Sequence, residues 1–76
     1  MKDFLNELSA PEQKAFEQLK ELQIDSVWGL AIKNVCEKPG VMRFRRLICE
    51  LKSQAHDCEE VMKSILGHAY EAVMLL

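Results

Sequence analysis

Three arginines crowd one short stretch of this chain, Arg43, Arg45 and Arg46, with Lys38 before them and Lys52 after. Guanidinium groups at that density suit carboxylates, phosphates or guanine edges. They follow the Lys38-Pro39-Gly40 turn signal and fall on the first turns of the helix expected after it. One chemistry open to them is that of a helix–turn–helix presenting its second helix to DNA. The turn residues argue against it. That motif holds a small residue and a turn glycine about four apart, whereas Ala31 and Gly40 lie nine apart here. The net charge of −2 also points away from nucleic acid, whose binders are usually basic. Lys38, Arg43, Arg45, Arg46 and Lys52 are therefore read as contacts to another protein, or as internal partners of acidic residues on a neighbouring helix. Nucleic-acid binding through the basic segment 38–52 is the alternative.

His56, Cys58 and His68 are the other residues with ligating chemistry. No C-x-x-C or H-x-x-x-H spacing places two strong ligands on one helix face, so no metal is expected. Cys36, Cys49 and Cys58 are odd in number and show no pairing pattern, which suggests free thiols in a reducing, cytoplasmic setting. Met1-Lys2-Asp3-Phe4 contains no apolar leader core. With two histidines, no Gly-rich phosphate loop and no nucleophile–base pattern, neither an enzyme nor a cofactor is implied.

The elements that would carry these residues are helices. Phe4, Leu5 and Leu8 recur at helical spacing. Ser9-Ala10-Pro11-Glu12 reads as a capping box with proline in the first turn, opening a helix over about 10–23 with Ala15, Phe16, Leu19 and Leu22 on one face. Asp25 or Ser26 can cap a third helix. Its apolar residues, from Val27 and Trp28 to Val35 and Cys36, cover most of its circumference, which predicts the most buried element. Gly29 sits inside it at a cost of about 1 kcal/mol relative to alanine, as a close helix–helix approach would require.

From Val41 onward the apolar residues keep a heptad. Val41, Ile48, Ala55, Met62, Ala69 and Leu76 occupy one seam position; Phe44, Leu51, Cys58, Ile65 and Ala72 occupy the other. The stretch 41–76 is thus expected to be one helix of roughly 50 Å, or two with a break near Asp57, where Asp57 and Glu60 could cap a new start. The apolar Ala72-Val73-Met74-Leu75-Leu76 segment should be buried, on the chain's own helices or against a second copy. Ile65, Ala69, Ala72, Val73 and Leu76 are read as the self-association seam.

At 76 residues and 49% hydrophobic content the chain makes one domain with a small core. Residues 1–25 are acidic (three Lys against six Asp and Glu), 26–52 basic (six against two) and 53–76 acidic again (one against four), an order that suits antiparallel helices or a dimer meeting end to end. The longest apolar run, Val27 to Ile32, is too short to span a membrane. The sequence therefore predicts an all-α bundle of four or five helices over 1–76, a homodimer through its C-terminal region, and a non-catalytic protein-binding role as a small regulator, adaptor or inhibitor.

Overall fold

Ser9 turns the chain between a short first helix, α1 (Lys2–Glu7), and α2 (Ala10–Lys20). The computed structural model describes residues 2–76, with side chains from residue 4 onward. Met1 and the side chains of Lys2 and Asp3, with the charges assigned to them above, lie outside the described residues. The Ser9 amide donates to Glu12 Oε1 at 2.9 Å and the Glu12 amide donates to Ser9 Oγ at 3.4 Å, completing the expected capping box. Gln13 reaches backward: its Nε2 donates to the carbonyls of Leu5 and Leu8 at 2.7 and 3.1 Å, giving partners to the open end of α1.

α2 stops at Lys20, short of the expected Gln23, and residues 21–26 run outside any helix to α3 (Val27–Glu37). This connection explains Gly29. The glycine stands in the first turn of α3, and a Cβ there would collide with the Ile24 carbonyl oxygen. The close approach is made by the preceding loop, not by another helix.

After Lys38–Gly40 the chain forms α4 (Val41–Asp57), α5 (Glu59–Leu66) and α6 (Ala69–Met74). The stretch expected as one helix or two is three, giving six helices among the described residues. The longest dimension of the molecule is 34 Å, which leaves no room for an unbroken helix over 41–76. The first break falls at Cys58, one residue after the expected point. Its amide closes α4 on the Gln54 carbonyl at 2.7 Å, and its non-helical backbone (φ −137°, ψ 68°) starts α5. Cys58 is exposed there instead of filling the seam. The second break is Gly67, whose φ of +54° and ψ of −128° suit a residue without a Cβ. Each break re-aims the helix that follows, so Leu66 and Val73, off the heptad seam, become fully buried.

The architecture is all-α, with no strand among the described residues. α4 lies centrally against α3, α5 and α6, and α2 packs on α3 and α6. Phe4, Phe16 and Phe44 meet edge to face where α1, α2 and α4 converge. α4 buries five side chains: Phe44, Leu47, Ile48, Leu51 and Ala55. α3, expected to be the most buried element, buries only Ile32 and Val35; its Val27 is 80% exposed and its Leu30 66%. No helix among the described residues is long and apolar enough to cross a membrane.

Gly29 in the first turn of α3 and Gly67 between α5 and α6 should each resist substitution. Gly29→Ala forces a methyl against the Ile24 carbonyl, and Gly67→Ala leaves open space but strains the backbone. Urea denaturation should show each variant destabilised by about 1–3 kcal/mol. A neutral Gly29→Ala would mean that the 21–26 loop does not hold its place against α3.

Candidate functional site

α4 sorts the expected basic cluster onto two flanks. On the flank toward α2, Arg45 forks onto Glu12: Nε donates to Oε2 at 3.0 Å and Nη2 to Oε1 at 3.3 Å. Glu12 is already the acceptor of the capping box and also receives the Ser9 hydroxyl at 3.1 Å. The Arg45 bonds above all, and then the Ser9 amide, pull the Glu12 carboxyl from 4.5 down to about 2 against an opposing effect of burial. Arg45 is thus an internal partner that ties α2 to α4. Lys52, seven residues on, lies along this same flank and is partly buried.

Arg43 and Arg46 face the other way, into a cleft between α3 and α4. The cleft encloses about 290 Å³ and is lined by Ala31 and Val35 of α3 and by Met42, Arg43, Arg46, Leu47 and Glu50 of α4. Val35 and Leu47 are buried and Ala31 partly so, which makes the base apolar. Met42 stands beside it 78% exposed. Among the described residues neither Arg43 nor Arg46 forms an ion pair. Lys38 and Arg43 share an adjoining recess with Asn34 and Glu37. Lys38, Arg43 and Arg46 are therefore brought together, while Arg45 and Lys52 are turned away.

The proposed self-association seam divides too. Ala69 and Val73 are fully buried and Ala72 is 8% exposed, all within the chain's own core, so these three present no face to a second copy. Ile65 and Leu76 are partly buried and Leu75 is exposed. The residues that the reading of the sequence missed are the apolar ones of the cleft, Ala31, Val35, Met42 and Leu47. The signal was present: an α3 apolar around most of its circumference has more apolar surface than a small core can take. Met42, outside the heptad seam, is the second residue of α4.

His56 lies in the last turn of α4, Cys58 separates α4 from α5, and His68 precedes α6; all three are exposed. Among the described residues no group of three or more His, Cys, Asp or Glu is arranged to hold a metal ion. Cys36, Cys49 and Cys58 are unpaired. Cys36 borders a second cavity of about 410 Å³ between α2 and α3, where burial pushes its thiol above the ordinary range.

Comparison with protein-family models, with curated proteins and with solved structures found no match for this chain.

Two predictions follow from the site chemistry. Glu12 titrates lower in the folded chain than in the unfolded one, so its contribution to stability is complete above about pH 5 and is lost as the pH falls toward 2. Glu12→Gln keeps a side chain able to serve the capping box but removes the charge. Its acid unfolding curve should be flatter across that window, and a slope equal to that of the parent would deny the Arg45 fork any role. Among the thiols, Ellman's reagent at pH 8 should label Cys49 and Cys58 first and Cys36 last, with all three reacting after denaturation. Rapid labelling of Cys36 in the native chain would place it outside the α2–α3 cavity.

Proposed function

We propose that this chain is a non-catalytic protein-interaction module, a small regulator, adaptor or inhibitor, which meets its partner at the α3–α4 cleft. One observation carries the reading: Met42 stands 78% exposed at the mouth of an apolar cleft whose rim holds Arg43 and Arg46 without ion partners among the described residues. An apolar centre with polar, cationic edges is how protein contact sites are built, with methionine and arginine favoured among their residues.

Local energetics support the same reading. α4 begins at Gly40 without a side-chain cap and carries no acidic residue in its first turn, where Arg43 instead opposes the helix dipole. A cationic helix start that opposes the dipole is where a functional demand is expected to compete with stability. A homodimer through the C-terminal region would draw on Ile65, Leu75 and Leu76, since Ala69, Ala72 and Val73 are taken up by the core.

Nucleic-acid binding is favoured by a separate observation. Lys38, Pro39 and Gly40 join α3 to α4 by a three-residue turn, a connection length used by helix–turn–helix domains, with Arg43 and Arg46 exposed on the second helix. The apolar base of the cleft weighs against it, because DNA-contacting surfaces are more polar and more strongly basic.

A photo-crosslinking amino acid at position 42, introduced in the native host, separates these readings. Irradiation should yield a discrete protein adduct that survives nuclease treatment and disappears when Arg43 and Arg46 are changed to Glu. The purified chain should leave random duplex DNA unshifted in a low-salt gel. A nuclease-sensitive adduct together with a shifted duplex would transfer the function to nucleic acid.

A further inference from the structure

Building on the reading of the α3–α4 cleft as a protein contact, we infer that its occupant is an amphipathic helix with carboxylates at the end of its apolar stripe that meets Arg43 and Arg46. The backbone chemistry of the cleft selects a helix. Both walls are helices, whose N–H and C=O groups beyond the first turn of α4 are bonded internally, and no strand edge exists among the described residues. An extended peptide laid here would gain none of the main-chain bonds that strand addition supplies. A polyproline ligand needs an aromatic-lined groove, and no aromatic side chain lines this one. A helix brings its own backbone bonds and needs only side-chain complementarity.

Side chains set the rest. Ala31 leaves depth between Val35 and Leu47, so the cleft accepts branched anchors spaced one turn apart. Met42, unbranched and exposed, can fold over whichever anchor enters. The charge of the rim has a direction. Lys38, Arg43 and the uncapped first turn of α4 make one end cationic, Arg46 extends it by a turn, and Glu50 closes the far end with the opposite sign. A partner helix complementary to this rim reads acidic, then apolar, then neutral or basic. That order fixes which way it lies and drives its approach electrostatically.

The test uses the full chain, isotope-labelled for NMR, and two synthetic helices of about 18 residues, long enough in an alanine host to hold helical structure. Both carry the same leucine stripe; glutamates flank its N-terminal end in one and lysines in the other. The glutamate helix should shift the amides of Ala31, Val35, Met42 and Leu47 and bind roughly tenfold or more tightly than the lysine helix. The gap should narrow as salt is raised. In the Arg43→Glu/Arg46→Glu variant the preference should invert. That variant should keep its circular dichroism, because an acidic residue in the first turn of α4 favours the dipole. Equal affinities, an unchanged preference in the variant, shifts centred on the α2–α3 cavity, or no binding of the glutamate helix at millimolar concentration would overturn the inference. A protein adduct at position 42 with no charge preference among the helices defeats only this assignment. Failure to form any protein adduct defeats the interaction reading beneath it.

Discussion

Phe4, Phe16 and Phe44 come from three helices and meet in one triangle, with ring centroids 5.0, 5.8 and 6.2 Å apart and every pair edge to face. α1 has six residues, too few to persist alone, so its order depends on the ring that it contributes. On α2, Phe16 lies one turn beyond Glu12; on α4, Phe44 is the residue before Arg45. The polar fork and the aromatic triangle therefore hold the same pair of helices, one at the surface and one in the core. They do different work. Aromatic pairs contribute about 0.5–1.5 kcal/mol each beyond the area they bury, whereas exposed ion pairs contribute little. The rings supply the cohesion, the buried face of α4 sets its rotation, and the fork joins the two helices at the surface.

The size of the chain sets a second constraint. A domain this short buries about 60% of the surface its unfolded chain exposes, and the central place among its helices falls to α4. The Ile24 carbonyl, pressed against Gly29, holds the start of α3 at the side of the bundle. An apolar helix at that position cannot bury its whole circumference. Ile32 and Val35 turn inward, while Val27 and Leu30 are left outside and Ala31 opens into the cleft. The exposed apolar surface of the cleft thus arises from the geometry that builds the core.

Local rules made much of this fold legible. The Ser9–Glu12 box and the starts of α3 and α4 each depend on residues a few positions apart, and each can be read from spacing. The heptad from Val41 was real as a pattern, with Phe44, Ile48, Leu51, Ala55, Met62, Ala69 and Ala72 all buried. It did not reveal the fold-back, because an antiparallel return can keep the same apolar period. Gly67 was the available clue. Two features were beyond local reading. Glu12 and Arg45 stand 33 positions apart, and nothing in either neighbourhood pairs them. Which helix becomes central is decided by competition among all of them, so an apolar count on α3 alone could not tell burial from surplus.

That competition also explains why four neighbouring positions of α4 divide between structure and contact. Successive residues on a helix turn by roughly 100°. With Arg45 turned toward α2, Arg43 is carried to nearly the opposite side and Arg46 to a position between, so both reach the α3 cleft. Exchanging the roles of Arg43 and Arg45 would require rotating α4 by nearly half a turn, which would drag Phe44 and Leu51 out of the core. The cationic edge of the cleft is therefore tied in register to the aromatic triangle. Burial of Phe44 and Leu51 sets that rotation, and the internal ion pair uses the one arginine that it turns toward α2.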